Sequence, residues 1–335
     1  MSSWYNTVGS ENDVVASTRI RLARNLADMP FPNKMTESQR EELKNRVKDA
    51  IYNSNTLFAK NLKYIDMANV PENEMGAMVE RHIISPEFAT SNKSRAIILS
   101  QDESISIMIG EEDHIRIQVI LSGLELEKAY DIAERLDSLL YEKLNFAFDS
   151  KLGFLTECPT NLGTGLRASV MLHLPVTEAN SEIALLSETV GKIGFTIRGM
   201  YGEGSKSGAQ LYQISNQITL GISEKNALDN LKTITTQLIA KERNARAKLD
   251  TLKIEDISYR ALGILQNCRI LSSKEMATLL SQIKLAQSMG ILNIKVDPMA
   301  LLIEGKPHML MKRHGEISPE ERDIYRASDI REALV

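Results

Sequence analysis

Stretches in which apolar and polar residues alternate one for one crowd the first two thirds of this chain. Beyond about residue 222 they give way to the three-to-four spacing of helices. Val14 and Val15 open a strand in which Arg19 and Arg21 share one face while Ile20 and Leu22 share the other. Residues 95–121 read as three strands joined by two short polar turns, an antiparallel meander. Its second turn is Gly110-Glu111-Glu112-Asp113, after which His114, Arg116 and Gln118 lie on one face and Ile115, Ile117 and Val119 on the other. A further alternation puts Arg167, Ser169, Met171 and His173 on one side and Ala168, Val170, Leu172 and Leu174 on the other. Residues 192–220 read as strand, loop, strand, with Gly199, Gly202, Gly204 and Gly208 in a mobile closing loop or a long hairpin.

Helical spacing predicts a helix over 36–60, capped by Thr36 and buried along Leu43, Val47, Ala50 and Ile51, and others over 124–144 and 181–191. Further on, the box Ser272-x-x-Glu275 opens a helix that Gly290 ends, and Ser318-Pro319 starts a final one. Residues 1–12 read as a short polar arm carrying Trp4, and Lys63 to Asn92 as short helix mixed with loop. The expected fold class is therefore α+β. A domain over 1–235 has a central antiparallel sheet flanked by helices, and an all-helical domain follows over 236–335.

At 335 residues, with 43% hydrophobic and 25% charged side chains, a sizeable core is assured. A net charge of −4 and few aromatics argue against nucleic-acid binding. The two cysteines, Cys158 and Cys268, form no disulfide framework and no zinc spacing, and no membrane span or signal pattern is visible. A reduced, cytoplasmic setting is expected.

Chemistry concentrates around Cys158–Leu174, CPTNLGTGLRASVMLHL. Gly163, Gly165 and Ala168 satisfy a G-x-G-x-x-A fingerprint, but period-two alternation follows where that motif needs a helix, so a dinucleotide fold is rejected. A glycine turn with exposed N–H groups before an arginine is instead a phosphate cradle. Arg19, Arg21, Arg116, Arg167 and Arg198 all fall in or at the ends of strands, and such a set suits a triphosphate. Paired arginines also occur on strands guarded by charge, and acidic hairpin tips on ordinary surfaces. His82 is a possible ligand contact or a satisfied core histidine. Glu112 and Glu203 are the carboxylates placed to face one cleft. No G-x-x-x-x-G-K-[ST], H-R-D or D-F-G occurs, so the two common kinase architectures are absent.

The blocks STRIRLAR, EEDHIRIQ, CPTNLGT, NLGTGLRA and RGMYGE, in this order, resemble the active-site blocks of the phosphagen kinases, the creatine and arginine kinase superfamily. More closely the chain resembles the bacterial protein arginine kinases of the McsB type. Only sixteen residues precede STRIRLAR, where the small-guanidine kinases carry a helical domain, and near its C-terminus the sequence has Arg322-Asp323-Ile324-Tyr325-Arg326-Ala327, matching an R-D-x-x-R-A motif. The resemblance implies ATP-dependent phosphorylation of arginine side chains in proteins. Glu112, Glu203 and Cys158 are its catalytic positions. Its ATP positions are Ser17, Thr18, Arg19, Ile20, Arg21, His82, Arg116, Arg167, Ala168, Ser169, Val170, Met171, Arg198, Gly199, Met200, Tyr201, Gly202 and Glu203. Residues 322–327 would bind phosphoarginine allosterically, on a helical domain that also dimerises. No protein metal site is expected, Mg²⁺ being held mainly by the nucleotide. Implied partners are a stress-response repressor and aberrant proteins as substrates, a zinc-binding activator, and a Clp-type unfoldase and protease. Membranes and nucleic acid are not expected. The alternatives are a kinase of small guanidines and a non-catalytic phosphoarginine adaptor.

Overall fold

The computed structural model describes residues 3–54, 61–199 and 209–334. Eight strands form one sheet in which every neighbouring pair is antiparallel. In chain order they are β1 (Val15–Arg24), β2 (Leu62–Asp66), β3 (Ala96–Ser100), β4 (Ile105–Ile109), β5 (Ile115–Ser122), β8 (Leu166–His173), β9 (Phe195–Gly199) and β10 (Leu211–Asn216). Their spatial order is β2-β3-β4-β5-β1-β8-β10-β9. A separate hairpin, β6 (Phe148–Asp149) and β7 (Gly153–Phe154), leads into the loop that carries Cys158.

Alternation along the strands divides the interior. Ile20, Leu22, Ala168 and Val170 point to one face, where α1 (Glu37–Tyr52), α4 (Leu126–Tyr141) and α7 (Glu224–Arg246) complete the main core. On α1 the expected stripe of Leu43, Val47, Ala50 and Ile51 is fully buried, and Thr36 caps the helix reciprocally with Gln39. The opposite face is covered only at its margins. At one side α2 (Glu72–Glu80) and α3 (Pro86–Thr90) pack Met78 and Phe88 onto Ile97 and Met108. At the other, helices from the C-terminal third build a second core around Leu211. These are α8 (Thr251–Asn267), α9 (Ser273–Ser288), α10 (Pro298–Glu304) and α12 (Pro319–Ala333), while α11 (Pro307–His314) packs against α2. Two short helices, α5 (Pro175–Ala179) and α6 (Ile183–Gly191), link β8 to β9. The middle of this second face is left open, and there the arginines stand.

Several expectations change. Residues 3–12 are no solvent-borne arm: Trp4 and Tyr5 are buried against Ile120 and Ile303, and the Trp4 indole N–H donates to the Arg81 carbonyl at 3.0 Å. Part of the 63–92 segment is strand β2, paired with β3. The break expected at 235 falls inside α7, whose buried side chains belong to the sheet's core. Ser272 caps α9 by accepting from the Glu275 N–H, the single-sided form of the expected box. Among the described residues no helix is long and apolar enough to cross a membrane.

Candidate active site

Strand register assembles the cationic face. Arg21 sits directly opposite Arg167 on β8 and Gln118 on β5, while Arg19 opposes Ser169 and Ile120. Arg116 opposes Ala23, and on the far side Gln213 of β10 opposes both Met171 and Arg198. Five arginines from four strands thus share one side of the sheet. Like charges directly across a ladder repel, so this arrangement carries an electrostatic cost. Burial first, then its arginine neighbours, holds the Arg21 guanidinium well below its ordinary range, and its Nε is buried without a hydrogen-bond partner. Arg19 is lowered to about 10 by burial and by Arg116, and its Nη2 donates to Gln213 at 3.0 Å.

This face floors a cleft of about 990 Å³ lined by Arg21, Arg116, Arg167 and Arg198 together with Glu112 and Cys158. The three consecutive acids of the 110–113 turn have three different fates. Glu111 is buried, accepts from Ser85 Oγ at 2.6 Å and pairs with Arg116. Glu112 reaches the cleft rim half exposed, held at 2.9 Å by the other nitrogen of Arg116. Asp113 turns inward, fully buried, and accepts from Asn25 Nδ2 and from the Glu157 N–H at 2.8 Å. Burial pushes its carboxyl upward. Asp113 therefore joins the turn that carries Glu112 to the loop that carries Cys158.

The loop after Cys158 is not the amide cradle that its glycines suggested. The N–H groups of Asn161, Leu162, Gly163, Thr164, Gly165 and Leu166 all donate within the protein. Its glycines are there for close approach: a Cβ on Gly163 would meet the Thr219 carbonyl oxygen at 2.2 Å, and Gly163 has φ +110°. Arg167 organises this loop, donating to Asn161 Oδ1 at 3.0 Å and to the Thr160 and Asn216 carbonyls. Arg24, buried and paired with Asp137 at 2.8 Å, braces it from below through the Thr164 carbonyl. The Cys158 thiol lies 3.1 Å from Thr160 Oγ1 at the cleft.

Two recesses adjoin the cleft. One of about 350 Å³ has apolar walls from Met171, Leu211 and Leu302, with Ser17, Arg19 and His82 at its polar edge. The other, of about 730 Å³, shares Arg19, Arg21, Arg116 and His82. His82 has a left-handed backbone (φ +62°), and burial with Lys306 and Arg19 nearby holds its ring neutral.

The expected ATP positions separate by face. Ser17, Arg19, Arg21, Arg116, Arg167, Ser169, Met171, Arg198 and Gly199, with His82, line the cleft or its recesses. Thr18, Ile20, Ala168 and Val170 do not, because period two sends their side chains to the other side. Thr18 Oγ1 donates instead to the Gly123 carbonyl at 2.7 Å. Met200, Tyr201, Gly202 and Glu203, and the closing loop they belong to, lie outside the described residues. Of the hexapeptide, Arg326 and Ala327 are buried. The Arg326 guanidinium donates to the Gly305 and Leu271 carbonyls at 2.7 Å and pairs with Asp323. Ile324 and Tyr325 are exposed and Arg322 is partly so. His114, grouped with Arg116 by alternation, is fully buried: its Nδ1 accepts from the Leu26 N–H at 2.9 Å. Asn25, Glu111, Asp113, Asn161 and Gln213 were not anticipated. Only the EED run carried a signal for two of them.

Residues 42–245 match the family described as ATP:guanido phosphotransferase, C-terminal catalytic domain, and residues 251–335 match the protein-arginine kinase McsB C-terminal domain. A protein-arginine kinase of Halothermothrix orenii is 45% identical over 341 residues, covering 100% of this chain and 97% of that protein. One from Clostridium acetobutylicum is 42% identical over 340 residues, covering 100% of both chains. Among solved structures, the substrate-free duplicated taurocyamine kinase of Schistosoma mansoni aligns with TM-score 0.61 at 27% identity, over 72% of this chain and 36% of that longer one. Lombricine kinase shares the fold, with TM-score 0.62 at 22% identity over 73% of this chain and 70% of its own. A guanidino-kinase match over seven of the sheet's eight strands, a second match over the C-terminal helices, and full-length relatives above 40% identity agree: this chain belongs to the protein-arginine kinase family.

Proposed function

We infer that this protein transfers the γ-phosphoryl group of ATP to arginine side chains of other proteins. Arg21 and Arg167, set directly opposite one another beside Arg19, Arg116 and Arg198, carry this assignment. An array of like charges that includes a buried, unpartnered guanidinium N–H on Arg21 is tolerable when a polyanion completes it in the working state. Arg21, Arg116, Arg167 and Arg198 receive the phosphates, and the apolar recess beside Arg19 receives the base.

The acceptor guanidinium is protonated at cellular pH and offers no lone pair to phosphorus. Glu112, at the rim of the cleft, takes a proton from its nitrogen as the N–P bond forms, and the bond from phosphorus to the β,γ-bridging oxygen breaks, leaving its electron pair on ADP. Arg116 holds Glu112 in place meanwhile. Glu203 is our second carboxylate for orienting the acceptor. Cys158 adds a polarisable group on the same wall. Among the described residues there is no cluster of three or more His, Cys, Asp or Glu that fits a metal, and both Glu111 and Glu112 are engaged by Arg116. We propose that Mg²⁺ is carried on the nucleotide, where it would lower the charge on the phosphate oxygens. On the family resemblance we further propose that modified proteins pass to a Clp-type protease, that a zinc-binding activator assists, and that the enzyme works as a dimer.

The test is mass spectrometry, without acid, of an arginine-bearing protein incubated with enzyme, ATP and Mg²⁺. Phosphoarginine is expected, and Glu112→Gln should lower its rate at least about 100-fold while ATP still binds. Faster turnover of free arginine than of the protein would favour a small-guanidine kinase. Phosphoarginine binding with no ATP consumption would leave only an adaptor.

A further inference from the structure

The 730 Å³ recess lies between the two parts of the molecule. Arg19 and Arg21 form its floor on β1, and its opposite wall comes from the helical region, at Ser273, Met276 and the junction of α10 with α11. From that junction Lys306 extends into the recess. Its ammonium donates to the Glu80 backbone carbonyl at 3.2 Å. The Glu80 carboxylate, the acid nearest in effect, is turned away to the Met309 N–H at 2.8 Å. Glu87, also on the lining, is exposed. His82, between Lys306 and Arg19, is neutral and supplies no counter-charge. Burial lowers Lys306 to about 8, so the side chain stays a cation at neutral pH while lacking a carboxylate partner among the described residues.

A largely buried cation with only a carbonyl for company is costly, and here it converges with Arg19, Arg21 and Arg116, of which Arg116 is paired with Glu111 and Glu112. We propose that this recess binds a phosphate group, with Lys306 of the helical region closing on it opposite Arg19 and Arg21. Neither Glu112 nor Cys158 lines the recess, so the group held there is not the one being transferred. Resting on the kinase reading above, the inference gives that group as an α- or β-phosphate of the nucleotide, which would then bridge the sheet and the helical region.

Full-length wild type, Lys306→Met and Lys306→Arg are titrated with ATP, ADP, adenosine and inorganic tripolyphosphate. Methionine keeps the length and packing of the stem, and thermal melting confirms folding. Lys306→Met should weaken ATP and ADP about 10–100-fold, the worth of one charge-assisted contact, and leave adenosine unchanged. Lys306→Arg should recover most of that affinity. In turnover, KM for ATP should rise with kcat and KM for the protein acceptor nearly unchanged, a split that general loosening does not produce. Unaltered nucleotide binding together with a Lys306-dependent loss of tripolyphosphate would make the ligand a free phosphate, still in the recess. Equal affinities for every ligand in wild type and Lys306→Met would overturn the inference. A wild type that binds no ATP would instead overturn the kinase reading.

Discussion

His114 shows how much of the site depends on the state of single side chains. Its Nδ1 must be bare to accept from the Leu26 N–H, while Nε2 reaches the Pro30 carbonyl at 2.8 Å, so one neutral tautomer is built into the turn beside Asp113. His173 is likewise buried, with Nε2 at 2.7 Å from Ser281 Oγ and Nδ1 without a partner. Burial lowers both rings, and His82 with them. The sign follows directly. An unfolded histidine takes up a proton near pH 6.5, the folded one does not, so protons favour the unfolded chain and stability is lost as pH falls below about 6.5. Urea unfolding at pH 7.5, 6.5 and 5.5 should show stability falling over the last step, most of it from His82 and His173, whose rings lie well below the ordinary range. A folded His114→Asn variant should show a shallower loss, and a flat profile would refute the neutral assignments. At this scale the sequence was a partial guide. The five arginines and Glu112 announced themselves by type and neighbours, but nothing in EED says that its last acid is buried, because the backbone direction through the turn decides it.

Period two was enough to place every cleft arginine on its strand and to group β3, β4 and β5 as a meander. It also contained, unread, the exclusion of Thr18, Ile20, Ala168 and Val170 from the cleft, since alternate residues cannot share a face. What escaped were short elements. Strand β2 sets two charges among its five residues, where β3 and β4 are almost wholly apolar, and helix α10 has seven residues, too few for its period to stand out. Helix α12 was legible by its cap, with Ser318 and Glu321 in reciprocal bonds, but Arg326 was not: a basic residue on a terminal helix defaults to solvent, and here tertiary carbonyls claim it. Arg326 grips the carbonyl of Gly305, the residue before Lys306, and so ties the hexapeptide to the recess wall. Arg326→Ala should therefore destabilise by about 3 kcal/mol and raise KM for ATP, whereas Arg322→Ala should leave stability within about 0.5 kcal/mol. Equal melting temperatures for the two variants would sink this assignment.

On the scale of the whole molecule, composition foretold a mixed region followed by a helical one, but not how the two are joined. Near the end of α7, Glu242 and Arg246 form a buried pair at 2.9 Å. Glu242 accepts from the N–H groups of Val176 and Thr177 at the start of α5. Arg246 donates to the carbonyls of Asp13 before β1 and His173 at the end of β8, and to Ser288 Oγ at the end of α9. One guanidinium thus fastens the sheet's first two central strands to the second core. Each of its three nitrogens has an acceptor, and such satisfaction is the condition under which a buried charge is tolerated. Arg246→Met would leave Glu242 buried without its cation and three acceptors without donors, at a cost of about 3–5 kcal/mol. Because the lost bonds lie at the seam rather than within either core, the cost should fall on coupling between them. Calorimetry of wild type should give one cooperative transition, and Arg246→Met should give two, the earlier one abolished as a separate event when ATP bridges the recess. A single transition merely shifted to lower temperature would mean that the seam is held elsewhere and that Arg246 stabilises one core alone.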